Sequence, residues 1–503
     1  MLAAVNSLGL LGVRGFFVRV ECYIGPGAPC FEVVGLPDAA VREARERVRA
    51  SIRFLGYDFP DGRITVNLAP AAVRKEGSVY DLPLLLSILA AAGEIPPLPE
   101  SAAFIGELSL DAQIRSAAGM LPMSLAAAQN GLATLYCPSK NAVEATLSEH
   151  LSVFPVDTVG DLLAHLSGRA SLTPAPPWDG RPDPSAPHYD FADVKGQFLA
   201  KRAMMIAAAG GHHLLLTGPP GTGKSMLASR ISSILPPLTR DEAIETTVIH
   251  SVAGILSPEY PLVTERPFRA PHHSISVGGL AGGGRIPRPG ELSLAHNGVL
   301  FLDELPEFAS DALEVLRQPI ETGEITISRV NGTLTYPCRF MLVAAMNPCK
   351  CGYYGSRVRP CRCSEESVRR YRDRISGPLL DRIDLHLSLP PVSFADLHDD
   401  TPPEHSDAIA ERVRAARGRQ TERFRTYPGT YCNAQMTPAM VREFCRLSPA
   451  VSGYLEAAFN RLHLSGRAHD RILRVSRTIA DFEQRGDILE EDINNALKYR
   501  EEF

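Results

Sequence analysis

The sequence has no apolar run long enough to cross a bilayer, which takes about 20 residues in a helix. Its most apolar stretch, LPLLLSILAAAG, is short and contains Pro83 and Ser87. The amino terminus, MLAAVNSLGLLGVRGFF, has neither the basic start nor the small-residue cleavage site of a signal peptide. We therefore expect a cytoplasmic protein that has no membrane partner.

The sequence also lacks an excess of basic charge and the cysteine pattern of a disulfide scaffold. Its net charge is −5, so any nucleic-acid site must be a local basic patch. In a reducing compartment the 10 cysteines are expected to be free thiols or metal ligands. A chain of 503 residues is too long for one hydrophobic core, which predicts about three domains.

One boundary is visible in the stretch SLTPAPPWDGRPDPSAP, whose prolines and lack of apolar periodicity predict a linker over residues 171–189. Residues 1–170 before it have a mixed α/β pattern. RITVNLAP and ATLYCP predict strands there, and DAAVREARERVRASIRFLG predicts an amphipathic helix that Gly56 ends. Over residues 190–395, strands and helices alternate as in a parallel α/β sheet. Residues 396–503 have helical spacing, as in SDAIAERVRAARGRQTERF and DRILRVSRTIADFEQ.

The strongest motif is G-x-x-x-x-G-K-S in HHLLLTGPPGTGKSMLASRI, between an apolar strand at Leu214 to Leu216 and a helical pattern. Glycines let backbone N–H groups turn toward phosphates, and the helix amino terminus favours negative charge. Lys224 is expected to reach the β- and γ-phosphates, and the Ser225 hydroxyl to bind Mg²⁺. The predicted cofactors are ATP and Mg²⁺, and the nucleotide contacts are Gly218, Pro219, Pro220, Gly221, Thr222, Gly223, Lys224 and Ser225.

Two further buried strands end in polar residues. NGVLFLDELPEF predicts a strand from Gly298 to Leu302 that ends in Asp303 and Glu304. Asp303 is expected to hold Mg²⁺ and Glu304 to activate the attacking water as catalytic base. FMLVAAMNPC ends in Asn347, which either positions water through its amide or forms a simple strand-end turn.

Four cysteines lie close together in NPCKCGYYGSRVRPCRC, and we call residues 349–363 the cysteine segment. Four thiolates can hold a structural Zn²⁺ tetrahedrally, although C-x-C is tighter than the usual spacing. The alternative is a reduced cluster without metal. The segment also carries residues that could contact DNA by stacking on bases or by charge, or that are simply solvated charge. The predicted zinc ligands are Cys349, Cys351, Cys361 and Cys363. The predicted DNA contacts in this segment are Tyr353, Tyr354, Arg357 and Arg359.

The motifs GPPGTGKS, LFLDE, MNP and GPLLDRID together resemble an AAA+ ATPase of the magnesium-chelatase-like branch. The longer strings RAPHHSISVGGLAGGG, PGELSLAHNGVLFLDELPEF and YRDRISGPLLDRIDLHLSLP are similar to the ComM/YifB family of bacterial proteins, and the likeness covers almost the whole chain. It implies an AAA+ P-loop core with a parallel sheet, followed by a C-terminal helical lid.

The resemblance implies roles for several residues. Asn347 matches the family's sensor 1, and Arg382 in LLDRID matches the arginine finger that reaches the neighbouring subunit's nucleotide. A finger that acts on a neighbour implies a homo-oligomer, expected to be a hexamer. Arg474 matches sensor 2 of the lid, with Arg467 and Arg471 as alternatives.

Residues 1–170 resemble the proteolytic domain of Lon proteases, an S5-like α/β fold, above all in FIGELSLDAQIRSAAGMLPMSLAAAQNGLATLYCPSKNA. Lon uses a Ser–Lys pair in which the amine activates the hydroxyl. Near the place of that lysine this sequence has Leu121, and Ser78 in RKEGSVYDLP lies near the expected serine but in a different context. We therefore expect the Lon fold without peptidase activity.

The family resemblance also implies a function. It implies an ATP-driven DNA translocase or helicase that promotes branch migration during homologous recombination in natural transformation, once a recombinase has paired the incoming strand. Its DNA would be single-stranded or branched and bound without regard to sequence. ITISRVNGTLTYP predicts a hairpin that faces the pore in this branch, so Arg329 is a candidate DNA contact, and Gln197 matches a motif near the adenine pocket. The alternative is a chelatase-like or chaperone-like ATPase that remodels a protein partner.

Overall fold

The computed structural model describes residues 2–181, 189–284, 287–329, 332–356, 359–398 and 402–500. The chain divides into two compact units: residues 1–184 with 240–264, and residues 185–239 with 265–503. None of the described helices is both long and apolar enough to span a membrane.

The strands of the described residues are numbered in chain order. They are β1 (Leu2–Leu11), β2 (Arg14–Gly25), β3 (Cys30–Val34), β4 (Arg63–Ala69), β5 (Ala102–Phe104), β6 (Glu107–Leu108), β7 (Ile114–Arg115), β8 (Thr134–Pro138), β9 (Ser152–Val156), β10 (Leu214–Thr217), β11 (Phe268–Arg269), β12 (Gly282–Gly283), β13 (Arg288–Pro289), β14 (Val299–Leu302), β15 (Glu324–Arg329), β16 (Gly332–Pro337), β17 (Met341–Met346) and β18 (Leu385–Ser388).

The α-helices are numbered in the same way. They are α1 (Ala39–Phe54), α2 (Asp81–Ala92), α3 (Met120–Gln129), α4 (Ser139–Ala145), α5 (Val159–Leu166), α6 (Phe198–Gly210), α7 (Lys224–Arg230), α8 (Arg240–Ala253), α9 (Val277–Ala281), α10 (Glu291–Leu294), α11 (Ser310–Val315), α12 (Arg317–Thr322), α13 (Glu365–Arg372), α14 (Gly377–Leu380), α15 (Phe394–Leu397), α16 (Ser406–Arg423), α17 (Pro438–Phe444), α18 (Pro449–Arg461), α19 (Gly466–Phe482) and α20 (Glu490–Lys498).

The first unit is built on a mixed sheet in the order β3-β4-β2-β1-β5-β8-β9. β2 runs antiparallel to both β1 and β4, and the other neighbours are parallel. β4 and β8 occupy the strands predicted from RITVNLAP and ATLYCP. In β4, Ile64, Val66 and Leu68 are buried and alternate with more exposed residues, as a strand with one face on the core requires.

The predicted amphipathic helix is α1. The Asp38 carboxylate caps it by accepting from the backbone N–H of Val41 at 2.8 Å. Its buried residues recur every three or four positions, which places them on one face of the helix. Gly56 follows with φ +83, a left-handed conformation that ends a helix easily. The prediction of this helix and of its glycine end is confirmed.

Residues 240–264 belong to the first unit, although they lie between two segments of the second. The buried Glu144 carboxylate accepts hydrogen bonds from the Leu121 backbone N–H at 2.8 Å and from the Ser251 hydroxyl of α8. The Gly119 N–H donates to the Ser251 carbonyl at 3.0 Å. These bonds fix α8 to the start of α3, an attachment that the sequence did not predict.

The second unit contains a fully parallel sheet in the order β11-β14-β17-β10-β18. Every residue of β10, β14 and β17 is buried, as in strands covered on both faces. The helical carboxyl-terminal part follows, and α16 and α19 pack on each other and on α6. The predicted parallel-sheet core and helical carboxyl-terminal part are therefore confirmed.

Candidate active site

Three parallel strands of the second unit end at the same edge of the sheet. Thr217 of β10 pairs with Met346 of β17, and Leu302 of β14 pairs with Ala344 of β17. Ligands of open α/β sheets bind outside the carboxyl ends of the strands. The chain continues there into the P-loop (residues 218–225), the Asp303–Glu304 pair and Asn347, so the sheet brings the three predicted motifs together.

The P-loop has the conformation of an anion-binding loop. Gly221 and Gly223 have φ of +80° and +85°, and α7 begins directly after them at Lys224. Among the described residues, no acceptor takes the backbone N–H groups of Gly221, Thr222 and Gly223. A Cβ at Gly221 would meet nothing within 4 Å. Unpaired N–H groups at a helix amino terminus bind phosphate, so this loop fits the phosphates of ATP.

The Lys224 amine lies at the centre of the site. It donates to the carbonyls of Gly218 at 2.7 Å and Pro219 at 3.0 Å, and to Oδ1 of Asn347 at 3.1 Å. Burial lowers its pKa, while the charges of Asp303 and Glu304 act in the opposite direction. The amine is thus held between the loop and the predicted sensor, where it can reach a bound phosphate.

Asp303 and Ser225, the two predicted magnesium ligands, lie in contact. The Ser225 hydroxyl donates to Oδ2 of Asp303 at 2.6 Å, although the two residues are 78 positions apart in the chain. Hydroxyl and carboxylate oxygens are the ligands that Mg²⁺ accepts when it is bound together with substrate phosphates. The donor set therefore fits Mg²⁺, which the oxygens of these two side chains would hold.

Glu304 is placed for contact with solvent. Its φ is +53°, a left-handed conformation that costs a non-glycine residue about 1–3 kcal/mol and is common at active sites. Its N–H donates to Oδ1 of Asp303 at 2.9 Å, and its side chain is 51% exposed. An exposed carboxylate next to Asp303 can accept a proton from water, as a catalytic base must.

His273 is a neighbour of Glu304 to which sequence reasoning gave no role. Its Nδ1 lies 3.3 Å from Oε2 of Glu304, and its ring packs beside His272 at 4.1 Å between centroids. The only signal was that both histidines occur in RAPHHSISVGGLAGGG, a string that carries the family resemblance. The spacing of the two histidines matched no chemical motif. The position of His273 beside the predicted base Glu304 could therefore be found only from the structure.

Gln197 lies beside the P-loop. Its side-chain amide donates to the carbonyls of Thr222 at 3.3 Å and Pro390 at 2.9 Å. The residue has a left-handed φ of +54° just before α6. The contact with Thr222 fits a role beside the nucleotide, as the resemblance implies.

Arg382 lies at the amino-terminal ends of the parallel strands, whereas the P-loop of its own chain lies at their carboxyl-terminal ends. It precedes β18, which runs parallel to β10 with Leu385 beside Leu214 and Ser388 beside Thr217. At about 3.3 Å per residue, the two ends of these four-residue strands are roughly 13 Å apart. The Arg382 guanidinium pairs with Glu321, and Nη1 donates to the Pro378 carbonyl at 2.6 Å. It does not join the P-loop cluster of its own subunit.

The three candidate sensor-2 arginines have different environments. Arg467 is exposed in the first turn of α19, and Arg471 pairs with Asp384 at 3.5 Å, next to the start of β18. Arg474 is half-buried, and its Nε has no hydrogen-bond partner among the described residues. Arg471 is thus engaged at the edge away from the P-loop. The Arg474 carbonyl accepts from the Thr478 hydroxyl, which also bonds to Nε2 of His212 just before β10. Arg474 therefore lies near the same edge, and Arg474 stays the first choice for sensor 2 by sequence, with Arg467 and Arg471 as alternatives.

The cysteine segment brings four sulfurs together. Sγ of Cys349 lies 3.4 Å from that of Cys351 and 3.7 Å from that of Cys361, and all four sulfurs lie within 4.8 Å of one another. Sulfurs in a zinc tetrahedron with bonds of about 2.3 Å are about 3.8 Å apart, whereas a disulfide bond is about 2.05 Å long. Hydrogen bonds from the backbone of Arg362 and Tyr353 lower the pKa of the Cys351 thiol to about 6. The cluster therefore fits a metal ion better than a disulfide.

Two arginine–tyrosine pairs brace the cysteine segment. The Arg359 guanidinium lies 4.8 Å from the ring centroid of Tyr353, and that of Arg372 lies 5.2 Å from the ring centroid of Tyr354. Tyr354 and Arg359 are exposed, so the pairs leave polar and aromatic surface for a ligand. Arg357, the other predicted DNA contact in this segment, lies outside the described residues.

Arg329 is exposed on the predicted hairpin. β15 and β16 pair antiparallel, with Arg329 opposite Gly332, as ITISRVNGTLTYP predicts. The hairpin lies beside a second, shorter one formed by β12 and β13. A Cβ at Gly283 would lie 3.3 Å from Nη2 of Arg329, and the Tyr336 hydroxyl donates to the Pro287 carbonyl at 2.7 Å. The two hairpins together support Arg329 at an exposed tip.

The residues discussed for a Lon-like site lie in the first unit. Leu121 is fully buried, and Glu144 accepts from its backbone N–H. The Ser78 hydroxyl donates to the Glu107 carboxylate. A serine bonded to a carboxylate and a buried leucine do not form the amine–hydroxyl pair of a Ser–Lys peptidase.

Three sequence profiles match this chain. "Magnesium chelatase, subunit ChlI" matches residues 190–397, "Subunit ChlI of Mg-chelatase" matches residues 20–141, and "Magnesium chelatase, subunit ChlI C-terminal" matches residues 403–500. The first of these covers the P-loop, the Asp303–Glu304 pair and the cysteine segment.

Individual proteins are similar over nearly the full length. Competence protein ComM of Haemophilus influenzae is 42% identical over 509 residues, which is 99% of this chain and 97% of that protein. The uncharacterized protein YifB of Escherichia coli is 42% identical over 501 residues, with the same coverage. A magnesium-chelatase 67 kDa subunit of Chlorobaculum parvum is 30% identical over 167 residues, 31% of this chain and 23% of that protein.

Proposed function

The chain belongs to the ComM/YifB family of proteins with magnesium-chelatase domains, and we propose that it is an ATP-driven, hexameric DNA translocase. In this proposal it promotes branch migration during homologous recombination in natural transformation. The name of the Haemophilus influenzae relative, a competence protein, supports the link to transformation. Its DNA is single-stranded or branched and bound through phosphates, so no base sequence is read.

The observation that carries the proposal is the convergence of the P-loop, Asp303, Glu304 and Asn347 at one sheet edge. ATP would supply the phosphoryl group that is transferred to water while ADP leaves, and Mg²⁺ would supply charge that stabilises this transfer. Lys224 and the loop N–H groups bind the phosphates. Glu304 takes the proton of the attacking water, and Asn347 orients that water by its amide. Together these groups support ATP hydrolysis.

The position of Arg382 supports a homo-oligomer, which we propose to be a hexamer. A guanidinium at the edge away from its own P-loop cannot contact its own nucleotide, but it can contact the nucleotide of a neighbour in a ring. Arg474 is proposed to contact the phosphates from the lid. Two neighbouring subunits would then complete each nucleotide site. Hydrolysis at one site could in this way affect the next subunit in the ring.

DNA is proposed to contact the hairpin of β15 and β16 and the cysteine segment. Arg329 contributes a charge at an exposed tip, and Tyr353, Tyr354 and Arg359 contribute rings and charge; Arg357 is included on sequence grounds alone. Base stacking on aromatic rings and arginine contacts to phosphates are the usual means of binding single strands without sequence preference.

The first experiment measures ATP-dependent branch migration of a synthetic four-way junction by purified protein. We expect the wild type to convert the junction into products only with ATP and Mg²⁺. Arg329→Ala should weaken DNA binding and lower the slope of log affinity against log salt by about one, since it removes one phosphate contact. Arg317→Ala is the matched control, because the Arg317 side chain is 40% exposed but pairs with Glu314 outside the hairpin.

Intact ATP hydrolysis without any binding of DNA would contradict the proposal. It would favour the chelatase-like or chaperone-like alternative, in which the same ATPase remodels a protein partner. The partial likeness to a magnesium-chelatase subunit is the observation behind that alternative.

We propose a structural Zn²⁺ at Cys349, Cys351, Cys361 and Cys363. Native protein should then contain stoichiometric zinc by elemental analysis, and Cys361→Ser should lose it because three thiolates and a hydroxyl bind zinc more weakly. Cys30→Ser is the control, since Cys30 is an exposed thiol on β3 in the first unit. Zinc well below one ion per chain in native protein would contradict this site.

The domain assignment stays a proposal as well. Residues 1–170 are assigned the Lon-like fold without peptidase activity, 171–189 the linker, 190–395 the AAA+ core and 396–503 the lid. The match of residues 20–141 to a magnesium-chelatase subunit supports a shared amino-terminal domain. Residues 240–264, which are grouped with the first unit, would be an insertion from the core into the amino-terminal domain.

A further inference from the structure

The cysteine segment touches the P-loop. Gly352 is buried, with φ +84, and a Cβ placed on it would lie 2.6 Å from Cδ and 2.9 Å from Cγ of the Pro220 ring. Real Cβ atoms essentially never come that close to another heavy atom. Only a glycine can therefore seat the segment against this proline without moving one of them.

A second contact lies five residues earlier. Oδ1 of Asn347 accepts from the Lys224 amine at 3.1 Å. Pro348 and Cys349 follow, and the Gly352 N–H donates to the Cys349 carbonyl at 2.9 Å in a tight turn. The chain from Asn347 to Gly352 thus meets the P-loop at its lysine and at its proline, and two cysteines of the cluster lie within that stretch.

The outer side of the segment is held by α13. Nε of Arg372 donates to the Pro348 carbonyl at 3.3 Å while its guanidinium covers the Tyr354 ring. A segment this short has no core of its own, so a metal is what can make it rigid. A rigid segment transmits a displacement to the proline it touches, whereas a flexible one absorbs it.

We infer that the cysteine segment is a wall of the nucleotide site, and that metal at its four sulfurs holds the P-loop in its ATP-binding form through the contact of Gly352 with Pro220. The inference rests on the proposed function, since it takes ATP and zinc as the ligands. It adds that the metal acts on ATP binding and that Gly352 is a positioning residue for the P-loop.

Two glycines of the segment make a matched pair for the test. Gly355 has φ +73, so alanine there carries the same left-handed backbone strain as at Gly352, but its Cβ would meet nothing within 4 Å. We expect Gly352→Ala to weaken binding of a fluorescent ATP analogue about tenfold or more, because the added methyl displaces Pro220. Gly355→Ala should change the affinity little. Zinc content is measured in both variants and should match the wild type.

The double variant Gly352→Ala/Pro220→Ala separates the contact from a general loss of folding. Pro220→Ala removes the ring carbons that the new methyl would strike, so the effect of Gly352→Ala should largely disappear in that background. Equal affinities for Gly352→Ala and Gly355→Ala, with wild-type protein binding the analogue normally, would overturn the inference. Failure of wild-type protein to bind the analogue would instead overturn the proposed ATPase function.

If bound metal changes the affinity for nucleotide, bound nucleotide must change the affinity for metal by the same factor at equilibrium. Zinc removal by a chelator should weaken binding of the analogue, and added zinc should restore it. Saturating ATP should raise the zinc affinity measured by chelator competition by the same factor. A zinc affinity that ATP leaves unchanged would contradict the inference, even if both ligands bind.

Discussion

Glu304→Gln is expected to lower the rate of ATP hydrolysis by about 10²–10⁴-fold, the usual contribution of a general base. Glutamine keeps the shape of the side chain and cannot take a proton from water. ATP binding should persist, because Lys224, Ser225 and the loop N–H groups are unchanged. Steady-state hydrolysis and the affinity for a fluorescent ATP analogue, measured on the same preparation, check both parts of the expectation.

The matched control is Glu307→Gln, three residues further along the same segment. Its carboxylate pairs with Arg374 at 2.9 Å and lies outside the cluster around Lys224. This variant should hydrolyse ATP at close to the wild-type rate, since exposed ion pairs contribute little to stability. A Glu304→Gln protein with more than a tenth of wild-type activity would remove Glu304 from the role of base. Branch migration should stop in step with hydrolysis.

The meeting of the P-loop, the Asp303–Glu304 pair and Asn347 could be predicted because each stands at the end of a recognisable apolar strand. In a parallel sheet, such ends meet at one edge by topology alone. The link between Ser225 and Asp303 thus follows from two motifs 78 positions apart. The hairpin of β15 and β16 was equally visible, since Asn-Gly between alternating residues predicts a tight turn.

Other contacts depend on tertiary packing and leave no local pattern. His273 lies 3.3 Å from Glu304, but the loop that carries it has no periodic sequence pattern from which this contact could be predicted. Gly352 resembles any loop glycine until Pro220 is found beside it. Likewise, α8 has ordinary helical spacing, and its attachment to the start of α3 is visible only in contacts such as the bond from the Gly119 N–H to the Ser251 carbonyl. Sequence patterns predict helices, strands and turns. These contacts depend instead on how helices, strands and loops pack against one another, so the local sequence does not predict them.

Arg382→Ala is expected to lower ATP hydrolysis by about 10³–10⁵-fold, the range over which arginine fingers accelerate phosphoryl transfer. Its guanidinium would stabilise the charge that develops on the neighbour's phosphates. Arg382→Lys should recover little, because a lysine cannot form the planar two-point contact. The control is Glu321→Gln, which removes the ion pair that Arg382 makes in its own subunit. If Arg382 serves only that pair, both variants should lose activity alike.

Mixing of inactive subunits tests whether the finger acts on a neighbour. Lys224→Ala subunits keep Arg382 but cannot hold the phosphates, and Arg382→Ala subunits keep an intact P-loop. Each alone should be inactive. In a mixed ring, some intact P-loops face an intact arginine, so hydrolysis should reappear and depend on the mixing ratio. Mixtures that stay inactive although they assemble, as seen by subunit exchange of labelled chains, would mean that Arg382 does not complete a neighbour's site.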